Sequence, residues 1–322
     1  MADFEPPFTL TPEIMDLCVH LAEKLGAWKA KAKPSLKIKL RKENRIKTIH
    51  SSLVIEGNSL SLDQVTAVLE GKKIIAPKKD LLEVTNAIKV YSDLENIRFA
   101  SEKSFLTAHS ILMNGLIPKA GKYRTSPVGI LKGSKVSHIP PPAKQVPLLM
   151  ANLFQWLKTS SLNAFIKSSI AHYEIEFIHP FMDGNGRMGR LWQTLVLNHS
   201  YHIFGELPVE HLIQKNQKEY YQALEHSDRQ GNSAPFILFM LKVLMKTLDA
   251  YLISSLLNPS DSASRLESIK ETFKKVAFSR LDYLKAIGSV STATASRDLK
   301  FGVNEKILKV TGNKRNARYH FL

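Results

Sequence analysis

The chain has one cysteine, Cys18, so no intrachain disulfide can form and the disulfide scaffolds of small secreted proteins are excluded. Cys18 lies in Ile14-Met-Asp-Leu-Cys-Val-His-Leu21 and reads as a buried residue in a chain kept reduced. Long apolar runs are also missing. No stretch reaches the uninterrupted length of a membrane span, so no membrane partner is expected. Met1-Ala-Asp-Phe-Glu-Pro-Pro lacks the basic start and apolar block of a secretory leader, and the expected location is cytoplasmic. There is no internal repeat and no low-complexity tract. Acids are scarce, with 29 Asp and Glu against 45 Lys and Arg, and the net charge of +16 invites a polyanionic partner. What is plentiful is apolar: 322 residues at 44% hydrophobic content can bury a large core in two or three units.

Against this background one run stands out, His179-Pro-Phe-Met-Asp-Gly-Asn-Gly-Arg-Met-Gly-Arg190. It gathers the parts needed to handle a nucleotide polyphosphate. His179 can take a proton near neutral pH. Asp183 can hold a hard Mg²⁺ ion that bridges phosphates. Gly184 and Gly186 allow a sharp turn with N–H groups aimed at an anion. Arg187 and Arg190 supply forked, permanent cations. Gly184-x-Gly186-x-x-Gly189 is formally a dinucleotide-binding pattern, but that pattern needs a preceding strand. Here Phe165, Ile166, Ile170, Tyr173 and Phe177 fall at helical spacing just before it, and Leu191 to Leu197 reads as a further apolar helix. The glycines therefore sit where a loop enters a helix, a natural phosphate site.

The run resembles the signature of the Fic family, HPFx(D/E)GNGRxxR, and matches it at every position. The resemblance implies a mainly α-helical fold, a helical bundle with a β-hairpin flap, and transfer of AMP from ATP to a Ser, Thr or Tyr hydroxyl of a target protein. It implies His179 as the catalytic base and Asp183 as the ligand of Mg²⁺. Gly184, Asn185, Gly186, Arg187 and Gly189 would surround the phosphates, and Arg190 would grip the γ-phosphate. Phe181 would pack into the core and fix the loop. Doc-like kinases of the same fold carry Lys at the position of Gly186 and lack the second arginine, so this chain keeps the AMP-transfer pattern. The cofactors implied are ATP and Mg²⁺.

Upstream, Ser51-Ser-Leu-Val-Ile-Glu-Gly-Asn58 places Ser52 and Glu56 on one helix face, with Gly57-Asn58 as the stop. Taken alone this is a helix end. Beside the signature it resembles the (S/T)xxxE(G/N) inhibitory motif of Fic enzymes, which implies that Ser52, Glu56 and Gly57 form an N-terminal inhibitory segment in which Glu56 occupies Arg190. Val128-Gly-Ile-Leu-Lys-Gly-Ser-Lys-Val-Ser-His-Ile139 reads as a hairpin with a glycine turn. In the family it is the flap that docks the target by strand addition, through Val128, Gly129, Ile130, Val136 and His138. His109 reads as a satisfied helix histidine. Glu219-Tyr-Tyr-Gln-Ala-Leu224 resembles the family's helix beside the adenine, with Tyr220 or Tyr221 flanking the base or simply in the core.

Residues 265–322 hold 13 Lys and Arg against 5 Asp and Glu, half of the net positive charge. They follow a polar linker, Asn258-Pro-Ser-Asp-Ser-Ala-Ser264. A helix opened by Ser279 with Asp282, a turn at Gly288, a second helix over Ser291–Leu299 and a basic hairpin around Thr311–Asn316 resemble a winged helix-turn-helix domain. There Lys314, Arg315 and Arg318 would meet phosphate, and DNA and protein stay open as its partner. The expected organisation is an N-terminal helical region with the inhibitory helix over 1–100, a catalytic core over 101–257 and the winged helix over 265–322. The expected activity is protein adenylyltransferase, autoinhibited by Glu56, with the target unidentified and self-modification and a homodimer left open. The alternative is a DNA-binding regulator with a sensory or AMP-removing core.

Overall fold

A computed structural model describes residues 4–31, 38–132, 135–257, 262–274, 276–288, 290–313 and 316–322. Among the described residues, fourteen α-helices and two two-stranded antiparallel sheets form. The chain divides into two compact units, 1–248 and 249–322.

The first unit begins with α1, Pro12–Lys31, where Pro12 takes the first helical position and Thr11 Oγ1 accepts from Ile14 N. Helix α2, Ile38–Ile55, carries the upstream motif at its end, and Gly57 at φ 87° stops it. Next come α3 (Leu62–Leu69), opened by a Ser61–Gln64 capping box, α4 (Lys78–Ser92) and α5 (Glu102–Leu112). The predicted hairpin forms as β1 (Ile130–Lys132) and β2 (Lys135–His138), with Leu131 opposite Val136 and an irregularity between Ile130 and Leu131. Its expected glycine turn, Gly133-Ser134, lies outside the described residues. Helices α6 (Val146–Thr159), α7 (Ala164–Ile178), α8 (Asn185–Ser200), α9 (Val209–Lys215), α10 (Gln217–Gln230) and α11 (Ala234–Leu257) complete the bundle.

Helix α7 is the centre of the unit. It is buried on all sides rather than along one stripe, as a helix apolar all round must be. It packs along α8, and the signature loop is the short link between the two. The aromatic core beneath that loop sets Trp192 edge-on to Phe105 at 4.8 Å and Phe181 stacked on Phe105 at 5.3 Å. Helix α2 lies against α9, α4 and α8 in the same unit.

The second unit holds α12 (Ser262–Phe273), α13 (Arg280–Ile287), α14 (Thr292–Asn304), β3 (Leu308–Thr311) and β4 (Arg318–Phe321). Its core of Leu266, Ile269, Phe278, Tyr283, Leu299 and Leu308 closes over a buried Asp298, which pairs with Arg265 and accepts from Ser262 Oγ and, at 2.9 Å, Tyr283 Oη. The Ser279–Asp282 capping box opens α13 as expected. Two readings needed adjustment. Ser262–Ser264, read as linker, already belong to α12, and α14 runs on to Asn304 because Leu299 and Gly302 stay in the core. Lys314 and Arg315 lie outside the described residues, and Arg318 stands 3.5 Å from Asp282.

Candidate functional site

The end of α7 presents His179. This residue takes left-handed backbone angles, φ 50° and ψ 61°, which a non-glycine residue adopts only when its surroundings hold it there. The restraints are visible carbonyl by carbonyl. His179 N donates to Ile175 O at 3.0 Å and His179 Nδ1 to Glu176 O at 3.3 Å. Arg124, itself buried, donates from Nε to His179 O at 2.7 Å and from Nη2 to both Ile178 O and Pro141 O. The Arg124 N–H reaches Pro180 O at 2.9 Å. With Nδ1 acting as the donor, the proton-accepting position of the ring is Nε2. Burial pushes the imidazole down to about 4, so at neutral pH it is an unprotonated base.

From His179 the loop turns back into α8. Gly184 caps the helix at φ 88°, and a Cβ there would meet Met113 Sδ at 2.8 Å, so only glycine fits. The Asn185 amide closes the turn twice, accepting from Phe181 N at 2.9 Å and donating to Phe181 O at 3.0 Å. Beneath, the buried His109 stacks on Phe181 with ring centroids 3.5 Å apart. His109 Nδ1 accepts from Gly121 N at 2.8 Å and Nε2 lies 3.0 Å from Asp183 O. It is a helix histidine, as expected, and also the floor of the loop. The first N–H groups of a helix have no intrahelical acceptors, and Asn185 and Gly186 at the start of α8 line the cavity.

Asp183 Oδ1 accepts from Gly184 N at 2.6 Å and from Arg187 at 3.1 Å. Arg187 in turn donates to Glu83 at 3.1 Å, and Glu83 accepts from Asn58 Nδ2 at 2.8 Å. Arg187, expected against the phosphates, is paired here with two carboxylates. Its two terminal nitrogens go to them while Nε is buried without a partner among the described residues, so it anchors Asp183 and is not among the residues lining the cavity. Gly189 is likewise not a cavity residue: a Cβ on it would lie 2.5 Å from His172 Cδ2, so it serves the close approach of α8 to α7. The Asp183 side chain is about half exposed. Among the described residues no group of three or more acidic, His or Cys side chains stands ready for a metal. One carboxylate fits Mg²⁺ that keeps waters and takes its other ligands from phosphates.

Arg190 comes from one turn further along α8. It is buried, and Nε donates to Ser52 Oγ at 3.1 Å while one terminal nitrogen donates to Ser52 O at 3.0 Å and Glu56 Oε1 at 2.6 Å. The pair expected across more than a hundred residues is thus formed, with the Arg190 side chain 1% and Glu56 27% exposed. Glu56 Oε1 also sits 2.5 Å from where a Cβ on Gly186 would be, so it leans over the start of α8.

These groups face a cavity of about 390 Å³. Its far wall is α10, with Tyr221 exposed and Tyr220 buried; Tyr220 Oη donates to Glu176 Oε1 at 3.0 Å and lies 3.0 Å from His172 Nε2. Burial raises Glu176 to about 7, against the pull of Arg190. His138, at the end of β2, also lines the wall; its Nε2 lies 2.8 Å from Phe177 O and its Nδ1 2.8 Å from Asp228 Oδ2. Val128 is half-buried and Gly129 exposed, while Ile130 and Val136 are placed by backbone pairing, Ile130 opposite His138. A wide-open groove against Glu102, Leu106, Ser110 and Gly121 gathers no comparable chemistry. Sequence reasoning passed over Arg124, Glu83 and Glu176. Only Arg124 left a trace, since a cation just before a hairpin that borders the signature has a reason to point back at it.

Comparison with known proteins agrees with this geometry. A model of the Fic/DOC family matches residues 99–197. The structure of a Fic family protein from Desulfovibrio desulfuricans G20 is 37% identical, with a TM-score of 0.76, over 99% of this chain and 98% of that one. Protein adenylyltransferase Fic of Drosophila mojavensis is 31% identical over 66% of this chain and 42% of its own length; that of Drosophila grimshawi is 31% identical over 73% and 48%. The chain spans less than half the length of these curated relatives. Fic-1 from C. elegans, at 23% identity and a TM-score of 0.63 over 75% of this chain and 72% of that one, shares the fold.

Proposed function

The chain belongs to the Fic family, and from that membership we propose that it is a protein adenylyltransferase, held in check by Glu56. The observation that carries the reading is the pairing of a neutral, oriented His179 with an Arg190 already occupied by a carboxylate. In the reaction, His179 Nε2 takes the proton of a target hydroxyl as its oxygen attacks the α-phosphorus of ATP. The bond from that phosphorus to the oxygen bridging to the β-phosphate breaks, and pyrophosphate leaves. The N–H groups at the start of α8 would receive phosphate oxygens, and Asp183 would hold Mg²⁺. That ion, when bound, supplies positive charge against the phosphates. Such chemistry is governed by positioning and charge neutralisation.

Glu56 acts on this site by competition. Arg190 is the cation at the cavity's inner end, and the γ-phosphate needs what Glu56 now takes. Among the described residues Arg190 is the one Arg or Lys on the cavity wall, which also carries Glu176, Asp183, Glu225 and Asp228. Relatives named protein adenylyltransferase Fic support AMP as the group transferred. The test is incubation of the purified chain with isotopically labelled ATP and Mg²⁺, followed by mass spectrometry for protein-linked AMP. His179→Ala should lower transfer by about 10²–10⁴-fold while ATP still binds, because general-base catalysis contributes that much and the phosphate contacts lie elsewhere. Unchanged transfer in that variant removes His179 from the base role.

A further inference from the structure

Beyond the base and the phosphate site, the hairpin is tied to the bundle by a histidine whose surroundings define its charge. The final carbonyls of a helix need donors from outside it. At the end of α7, Ile178 O and His179 O are met by Arg124, which precedes β1, and Phe177 O is met by His138 Nε2 at the end of β2. Both roots of the hairpin therefore cap the helix that presents the base.

His138 faces two groups that only accept. Phe177 O is a carbonyl, 2.8 Å from Nε2. Asp228 Oδ2 is a carboxylate oxygen, 2.8 Å from Nδ1, and its partner Oδ1 already accepts from Tyr173 Oη at 2.9 Å. A neutral imidazole has one N–H and fills one of these contacts; the imidazolium fills both. The other charged groups around it fit a cation. Glu176 and His179 on α7, Asp228 and Glu225 on α10, and Glu56 beyond α2 share the cavity wall with it. Among them His179 is neutral at ordinary pH, Glu176 is raised to about 7 and the others are acids; the cations nearby are Arg190, paired with Glu56, and Arg124, spent on the neighbouring carbonyls. A cation also suits the carbonyl end of a helix. The His138 side chain is 9% exposed, so solvent screens these contacts little.

We propose that His138 is a positioning residue that works as an imidazolium, clipping the hairpin to α7 and α10 so that the docking edge and His179 are held as one body. The proposal rests on the adenylyltransferase reading for its effect on rate, and on geometry alone for its charge. Burial by itself lowers the ring's affinity for a proton, but Asp228 and the Phe177 carbonyl outweigh it and hold His138 above its ordinary value. A group raised in this way contributes below the ordinary histidine range and loses its contribution as pH rises through the raised value.

The experiment has two arms on the full chain. In the first, NMR follows the His138 ring signals, assigned by their loss in His138→Gln, as pH rises. The expected midpoint lies above the ordinary value of about 6.5 and falls in Asp228→Asn. Amide exchange of the hairpin, corrected for its intrinsic pH dependence, should quicken through the same midpoint on the order of tenfold, as expected for one lost charge-assisted hydrogen bond. In the second, self-labelling from ATP by Glu56→Ala should decline over that midpoint, whereas Glu56→Ala/His138→Gln should be lower at pH 6 and flat. A midpoint at or below 6.5 that ignores Asp228→Asn overturns the clip. So does a doubly substituted chain that keeps the parent's pH profile. If no AMP is transferred at all, the adenylyltransferase reading fails, and the NMR and exchange arm still decides the clip.

Discussion

His179 is held in left-handed backbone by its own two hydrogen bonds into α7 and by Arg124, and the arrangement fixes which ring nitrogen is free. Asn185 has a comparable part on the other side of the loop. Asn185→Ala removes two buried hydrogen bonds to Phe181 and leaves both backbone groups unpaired, so the chain should lose roughly 2–4 kcal/mol in urea unfolding. A loss below about half a kcal/mol would mean the turn is held without it. Gly189 separates two accounts of the signature. If it served the nucleotide, Gly189→Ala would act on ATP affinity first. Its contact with His172 instead predicts overpacking, about 1–3 kcal/mol of stability lost, with ATP affinity following only through that loss. Calorimetry of ATP binding beside thermal unfolding of the variant distinguishes them.

At the level of elements, the junction α7–loop–α8 was legible in the sequence, and the physical reason is local. Apolar residues at helical spacing, a run of turn glycines and a second apolar stretch leave one way to fold. The Ser279–Asp282 cap and the stop at Gly57 were legible for the same reason, and Ser279→Ala should weaken the second unit by about 1 kcal/mol in urea unfolding. Contacts between distant segments were legible only through resemblance. Nothing in Lys78–Ser92 announces that Glu83 will bridge Asn58 and Arg187, because that contact exists only once the fold brings these distant side chains together. This is also why Arg187 was expected on the phosphates: its residue type suits an anion, and Glu83, one of the two acids that take it, comes from elsewhere in the fold. Helix α2 has the converse character. Its Ser52 and the Glu56 just past its end share a face by spacing, and that face lands on Arg190.

Across the whole molecule, buried titratable groups set the pH dependence of stability from two sides. Burial holds His109 and His179 down to about 4 and His172 to about 3. A histidine so lowered contributes above about 6.5 and loses that contribution as pH falls toward its folded value. Burial raises Glu174, Glu176 and Glu210 to about 7, and these contribute at low pH and lose it as pH rises through about 7. Between roughly pH 4.5 and 6.5 the two sets oppose each other, so stability should be nearly level there, falling as pH rises from about 6.5 through 7, levelling off above that, and falling again below 4.5. Urea midpoints across pH 4–9 check this, and Glu210→Gln should shallow the fall near pH 7. A midpoint that climbs from pH 7 to 9 would contradict the assignment.

The account centres on Glu56 standing in for a phosphate at Arg190, and the most direct measurement is AMP transfer from labelled ATP by the parent chain, Glu56→Ala and Glu56→Ala/Arg190→Ala, together with their ATP affinities. Removing one partner of a buried ion pair costs about 3–5 kcal/mol where both are fully buried, and Glu56 is partly exposed. ATP can satisfy the freed Arg190, so Glu56→Ala should bind ATP and transfer AMP roughly ten- to a hundredfold better than the parent. The double variant should lose that gain, because both substitutions act through one contact. Equal ATP affinity and equal transfer in the parent and Glu56→Ala would contradict autoinhibition and leave the Glu56–Arg190 pair as a structural contact.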